Sequence, residues 1–71
     1  MDEKELWQYV DLGLVSKDDY TLFSKIMNDA HPKTQKERIL ALILFYYTNG
    51  DYTAEEYEIA RHNVMTSDRL Q

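Results

Sequence analysis

The chain has 71 residues, no cysteine, and a formal net charge of −5 from eight basic and thirteen acidic residues. A chain of this length forms one domain with a thin core, and without cysteine no disulfide can replace hydrophobic packing. The composition therefore argues against a disulfide-rich secreted protein, and against a protein whose main task is to neutralise nucleic-acid phosphates.

The amino terminus and the apolar segments argue against export and membrane insertion. The first residues are acidic and lack the basic and then apolar order of a signal peptide. The longest apolar run, residues 39–47, has about half the length of a membrane span. We therefore expect a cytoplasmic protein of one domain, residues 1–71, without a membrane partner.

The two halves of the chain are similar when one is laid on the other with an offset of 37 residues. Gly13 then matches Gly50, and Ser16 matches Thr53. In each half an apolar segment ends at a glycine, which can adopt the left-handed conformation, and a hydroxyl residue that can cap a helix follows. This repeat predicts two helical hairpins with a linker between them and a tail after them. Their expected bounds are residues 3–28 for the first hairpin, 29–33 for the linker, 34–65 for the second hairpin and 66–71 for the tail.

Capping signals and apolar spacing predict four helices and no long strand. The expected helices are residues 3–11, 16–28, 34–48 and 53–65. The first, second and fourth each have a narrow apolar stripe, with side chains three or four positions apart. The stripes are Trp7, Val10 and Leu14; Tyr20, Phe23 and Met27; and Tyr57, Ala60 and Val64. The expected fold class is all-α, a small four-helix bundle made of two similar hairpins.

Three residue pairs have the spacing of a capping box, in which a hydroxyl caps the amide three residues on and an acid returns the bond. The three pairs are Ser16 with Asp19, Thr34 with Glu37, and Thr53 with Glu56.

In the linker, Pro32 cannot continue a helix and biases His31 toward an extended conformation.

The third helix has no polar face over residues 39–47 and must be covered on all sides. The narrow stripes of the other helices favour a protein partner or a homodimer, although the chain could also close over this helix by itself. Tyrosines near the second turn support an interface, because tyrosine combines contact area with a polar tip. The residues expected at a partner-binding surface are Tyr46, Tyr47, Tyr52, Asp51, Glu55 and Glu56.

No constellation of side chains predicts an enzyme, a cofactor site or a metal site. Residues 50–57 are similar to the second half of an EF-hand loop, but Phe45 and Tyr47 stand where calcium needs oxygen ligands. Glu58 and His62 could supply two metal ligands, whereas a zinc site needs three or four. No serine lies in a nucleophile elbow, and neither glycine belongs to a phosphate-binding loop. We expect no catalytic residues and no cofactor.

Two functions that involve nucleic acid remain as alternatives. A helix, a glycine turn and a capped helix also describe a helix-turn-helix, so the chain could be a DNA-binding transcriptional regulator that uses Lys33, Lys36 and Arg38. Acidic residues at the start of both candidate recognition helices oppose this function. Alternatively, the acidic residues could imitate phosphates, which would make the protein a DNA-mimic inhibitor of a nucleic-acid enzyme.

The first hairpin resembles a known helical module. It has an apolar helix from Leu6, the turn Leu12-Gly13-Leu14-Val15-Ser16, the group Asp18-Asp19-Tyr20 and a second helix to Met27. This pattern is similar to the short C-terminal helical hairpin called the SHOCT domain, and residues 50–57 are similar to a second, degenerate copy. The resemblance implies helical hairpins, roles in association and no catalytic residues. That module usually lies at the end of larger bacterial proteins.

These observations together predict a small acidic protein without enzymatic activity that binds a protein partner or regulates one. Its size and charge suit an accessory protein of a bacterium or phage that docks on a larger host protein.

Overall fold

The computed structural model describes residues 2–68, and within them the chain forms four α-helices, one short 3-10 helix and no strand. The prediction of an all-α four-helix bundle is confirmed. Helices α1 and α2 form the first hairpin, and α3 and α4 form the second. The helices are α1 (Glu3–Asp11), α2 (Tyr20–Ala30), α3 (Gln35–Thr48) and α4 (Ala54–Met65), and the 3-10 helix (Lys17–Asp19) precedes α2.

The second helix differs from its expected bounds of 16–28. Residues 17–19 form a 3-10 turn, and the α-helix begins at Tyr20 and continues to Ala30. The Ser16 hydroxyl donates to the Asp19 carboxylate at 3.0 Å and accepts no backbone amide, so the Ser16 capping box is a wrong prediction. The connection between the hairpins is therefore residues 31–34, whereas the sequence predicted a linker at 29–33.

The capping box of α4 is present in full. The Thr53 hydroxyl accepts the Glu56 amide at 3.1 Å, and the Glu56 carboxylate accepts the Thr53 amide at 2.9 Å. At the start of α3 only half of the box forms: the Thr34 hydroxyl accepts the Glu37 amide at 3.1 Å. The Glu37 carboxylate instead accepts the amide of Lys33, at 3.4 Å.

The residue before the proline does not adopt the extended conformation that the sequence predicted. His31 lies in the left-handed region, with φ +47° and ψ +54°, and its amide donates to the Met27 carbonyl at 3.1 Å. It therefore occupies the position at which a glycine commonly ends a helix. The hydrogen bond that closes α2 outweighs the local preference imposed by Pro32.

The two hairpin turns have the same backbone hydrogen bonds. Both are Schellman motifs around a glycine with positive φ, +78° at Gly13 and +87° at Gly50. An offset of 37 residues relates the donors and acceptors of one turn to those of the other. In the first turn Gly13 donates to Val10 (3.0 Å) and Leu14 to Tyr9 (2.9 Å); in the second, Gly50 donates to Tyr47 (3.1 Å) and Asp51 to Tyr46 (2.8 Å).

The core lies where α1, α2 and α3 meet. Phe23 and Met27 of α2 are fully buried, as their stripe predicts. The Phe23 ring meets Phe45 edge to face, with ring centroids 5.5 Å apart. Aromatic contacts of this kind stabilise a fold by about 0.5–1.5 kcal/mol beyond the contribution of the apolar area that they bury. The buried cluster is Leu6, Val15, Phe23, Met27, Ala41 and Phe45.

In the first turn, the residue that is buried in the core is Val15, whereas the prediction was Leu14. The sequence placed Leu14 on the apolar stripe of the first helix, but Leu14 is 41% exposed and Val15 is buried. The left-handed conformation of Gly13 reverses the chain, and this reversal turns the side chain of Val15 toward Phe23 and its neighbours. The prediction that Leu14 faces the core is wrong for this reason.

The chain covers much of the apolar third helix by itself. The backbone of α3 lies closest to those of α2 and α4, and Ala41, Ile43 and Phe45 are buried. Leu44 and Tyr47 remain exposed by more than a third of their surface. After α4, residues 66–68 form a turn, and the rest of the expected tail, residues 69–71, lies outside the described residues.

Thr53→Ala should lower the free energy of unfolding by about 1 kcal/mol, because it removes the acceptor that caps α4. Ser16→Ala is the matched control, since Ser16 occupies the equivalent position and caps no amide. We expect it to change stability by much less. Urea unfolding followed by circular dichroism measures both variants, and equal losses would contradict the asymmetry of the two caps.

Candidate functional site

A groove with a volume of about 390 Å³ lies between α1 and α3, and we call it the leucine groove. Its apolar walls come from α1, from the first turn and from α3. One charged and two amide side chains lie among the apolar ones. The lining residues are Gln8, Tyr9, Leu12, Leu14, Gln35, Arg38, Ile39 and Leu42.

The aromatic side chains of α1 beside the groove pack on α2. Trp7 stacks on Tyr20, with ring centroids 4.4 Å apart and planes 12° apart. Tyr9 contacts Phe23, with centroids 5.1 Å apart. Since α3 packs its backbone most closely against α2 and α4, no helix among residues 2–68 fills the space between α1 and α3.

Two leucines of the first turn lie at the rim of this groove. Leu12 is 74% exposed and Leu14 is 41% exposed. The second turn has the same backbone hydrogen bonds but carries Asn49 and Asp51 at the matching positions. The turn itself therefore does not require leucine. The position of Leu14 commonly makes an apolar contact within a Schellman motif, whereas no such contact accounts for Leu12.

The second hairpin holds the first turn in place. The Tyr46 hydroxyl of α3 donates to the Leu14 carbonyl at 2.6 Å. The Tyr46 ring also contacts those of Phe45 and Tyr52, with centroids 5.6 Å and 5.4 Å apart. Burial raises the pKa of the Tyr46 phenol, and the nearby Tyr52 and Asp51 raise that pKa further. The rim of the groove thus depends on a bond between residues of different hairpins.

The two turns lie at the same end of the bundle, where Asn49 joins them. Its amide donates to the carboxylates of Asp19 at 3.3 Å and Asp51 at 3.1 Å. The acidic residues of both turns and of the helix starts after them are therefore gathered at this end, together with Lys17. These acids are Asp18, Asp19, Asp51, Glu55 and Glu56.

The residues predicted to bind a partner differ in burial and in the contacts that they make. Tyr46 and Tyr52 are half-buried and contact each other, and the Tyr46 hydroxyl is used inside the protein. Tyr47 is exposed and stacks on Tyr57 of α4, with centroids 4.7 Å apart. Asp51, like Glu55 and Glu56 at the start of α4, is exposed.

Sequence reasoning missed the leucine groove. The available signal was the mismatch in the repeat, because Leu12 is apolar where its counterpart Asn49 is polar. The residues that face Leu12 across the groove belong to α3, and no local pattern indicates that α1 would leave this face of α3 open.

The basic residues considered for nucleic-acid contact are used on different sides of α3. The Lys36 ammonium donates to the Met65 carbonyl at 3.3 Å, at the end of α4. A cation at this position also interacts favourably with the helix dipole. Arg38 lines the leucine groove, next to α1. Lys33 lies in the connection between the hairpins. Lys36 and Arg38 therefore do not form one phosphate-binding surface.

A second groove, of about 280 Å³, lies on the other side of α3. It runs between the connection after α2, the helix α3 and the helix α4. Glu37 and Arg61 both line it, so its lining carries charges of both signs. Leu44 and Met65, which are partly exposed, form part of its apolar wall.

Known proteins provide no assignment for these surfaces. No protein-family model, no curated protein and no solved structure matches the chain. The resemblance of the first hairpin to the SHOCT domain stays a prediction. In the described part of the chain, no group of three or more His, Cys, Asp or Glu side chains could hold a metal ion, and no helix is long and apolar enough to cross a membrane.

Tyr46→Phe should lower the free energy of unfolding by about 1 kcal/mol, because it removes the bond to the Leu14 carbonyl. Tyr47→Phe is the matched control, since the Tyr47 hydroxyl forms no hydrogen bond with the described residues. Denaturant titration at neutral pH measures both. A control that loses as much stability as Tyr46→Phe would show that the bond is not the cause.

The raised pKa of the Tyr46 phenol predicts that the stability of the fold depends on pH. Because its pKa is raised in the folded state, folding favours the protonated form. Its contribution is complete below the unfolded-state pKa of about 10 and is lost as the pH rises through the folded-state pKa. We expect the melting temperature to fall above about pH 10, and to fall less steeply in Tyr46→Phe.

Asn49→Asp should destabilise the fold by about 1–2 kcal/mol at low salt, since it removes two hydrogen bonds and adds a third carboxylate beside Asp19 and Asp51. Added salt should restore part of the loss by screening the repulsion. Asn28→Asp places the same charge in the last turn of α2 and controls for the helix dipole. Equal effects of the two variants in thermal unfolding would contradict a role for Asn49 in joining the turns.

Proposed function

We propose that this protein is a small, non-enzymatic protein-binding module that docks an apolar segment of a partner protein in the leucine groove. The observation that carries the proposal is the exposure of Leu12, whose side chain is 74% exposed to solvent. The second turn has the same backbone geometry with Asn49 at the matching position. A leucine that the turn does not require, at the rim of an apolar groove, is better explained by a partner that covers it.

The groove provides more than one anchor. Beside Leu12 and Leu14, the half-buried side chains of Tyr9, Ile39 and Leu42 offer further apolar surface to a docked segment. Full burial of a leucine side chain contributes about 1.5–3 kcal/mol. Because both leucines are partly covered already, they supply only a fraction of the roughly 8 kcal/mol that a micromolar complex needs. The other apolar side chains of the groove must supply the rest, and we expect an affinity no tighter than micromolar, as suits a regulatory contact.

The surface around the groove supports a reversible complex. A binder that exposes two leucines and carries a net charge of −5 stays soluble without its partner, because like charges keep copies apart. Tyr46 fixes the first turn before binding, so the leucines need little ordering when the partner arrives. Both features are expected of a protein that exists free in solution and binds its partner reversibly.

A variant with Leu12→Asn and Leu14→Asp tests this proposal, because both substitutions introduce the residues of the second turn and keep its backbone geometry. Ile59→Asn is the matched control: Ile59 is 55% exposed on α4, away from the groove. The three immobilised proteins are exposed to a lysate of the source organism. We expect a protein that wild type and control retain and the double variant loses, and whose purified form binds with the same ranking.

A second copy of the chain is the other outcome that this experiment resolves. Light scattering behind a sizing column, over a wide range of concentration, shows whether wild type and Ile59→Asn dimerise and the double variant does not. That pattern would make the docked segment a part of the same protein. If the double variant behaves like wild type in capture and in scattering, the leucine groove is not a docking site.

A further inference from the structure

In the described part of the chain, one charged side chain lines the leucine groove, and its charge is not balanced there. Arg38 is half-buried in the lining and forms no ion pair or hydrogen bond through its guanidinium with residues 2–68. Gln8, Gln35 and Tyr9 are the lining residues that carry neutral polar groups. A guanidinium offers five donors in a planar fork, and a carboxylate matches that geometry with two parallel hydrogen bonds.

One wall of the groove is a ridge of side chains on α3. Four side chains of α3 recur at helical intervals along about 10 Å of its axis and so form one continuous ridge. Tyr9 and Leu12 of α1 and its turn face this ridge from the other side. Amphipathic helices dock in such grooves through apolar anchors at the same intervals. The ridge consists of Gln35, Arg38, Ile39 and Leu42.

We infer that the docked segment is an amphipathic helix of two to three turns that places an acidic side chain against Arg38. This inference rests on the proposed function and specifies the chemistry of the partner. A docked helix removes water from the guanidinium, and an uncompensated charge in a dry interface is costly. A carboxylate at that point compensates it with charge-assisted hydrogen bonds, whereas a lysine or arginine there adds repulsion.

Other charges near the groove limit where the acid can bind. Glu5 lines an adjoining depression of about 330 Å³ together with Gln8, Tyr9 and Arg38, and forms no ion pair with Arg38. Its carboxylate disfavours an acid placed toward the start of α1. The acid of the partner is therefore expected on the side of Arg38 that faces Ile39 and Leu42. The second groove, with Glu37 and Arg61 in its lining, offers no such preference.

A random library of displayed peptides of about twelve residues, long enough for two to three helical turns, tests this inference. The library is selected in parallel on wild type, on Arg38→Gln and on the variant with Leu12→Asn and Leu14→Asp. We expect wild type to enrich peptides with apolar residues at helical intervals and with Asp or Glu. Arg38→Gln should enrich the apolar pattern without the acid, and the double variant should enrich neither.

The affinities of the consensus peptide and of its amide variant then give the coupling free energy between the acidic side chain of the peptide and Arg38. Replacing that acid by its amide should weaken binding to wild type about tenfold, and should leave binding to Arg38→Gln nearly unchanged. Because the peptide carries the first change, a folding defect cannot produce the loss. Glu5→Gln should strengthen binding of the acidic peptide, since it removes the repulsive neighbour.

The outcomes separate this inference from the proposed function. Wild-type peptides with the apolar pattern and no acidic preference, or with Lys or Arg instead, would overturn the inference and leave the docking proposal standing. Apolar residues at alternating intervals would overturn the helical form of the segment. Enrichment of the same peptides on wild type and on the double variant would overturn both proposals, because the leucines would then have no part in binding.

Discussion

At Gly13 the backbone adopts φ +78°, a conformation that strains any residue with a side chain, and there the chain reverses between α1 and α2. This reversal turns Val15 into the core and leaves Leu12 and Leu14 at the surface. The aromatic side chain of Trp7 packs on Tyr20 of α2, and the groove lies between α1 and α3. The glycine has open space around the position of a Cβ, so only the backbone conformation demands it.

The repeat provides a comparison of two turns within one chain. Two turns with the same hydrogen bonds carry leucines in one hairpin and Asn49 and Asp51 in the other. The two turns share their backbone geometry and differ in the side chains that they carry. Asn49 joins the acidic carboxylates of both turns, while Leu12 contacts solvent. The polar turn therefore contributes to stability, and the apolar turn is the one that we propose for the contact with a partner.

The apolar third helix explains why the bundle has grooves on two sides. Neighbouring helices bury Ala41 and Phe45, but three other short helices cannot enclose a helix that lacks a polar face. The uncovered parts fall at the leucine groove and at the groove beside α4. Among residues 2–68, the first has Arg38 as its one charged lining residue, and the second has charges of both signs. That difference in charge, more than the size of either groove, distinguishes the partners that each could accept.

The sequence by itself determined the features that depend on neighbours along the chain: four helices, the glycine stops and the full cap at Thr53. Periodicity and caps act within a few residues, so these elements could be predicted. Contacts between residues about thirty positions apart were decided by the tertiary structure. Tyr46 reaches Leu14, Asn49 reaches Asp19 and Lys36 reaches Met65 across separations of 32, 30 and 29 residues. The leucine groove belongs to this second group, because its walls come from two helices whose distance from each other depends on how each packs against α2.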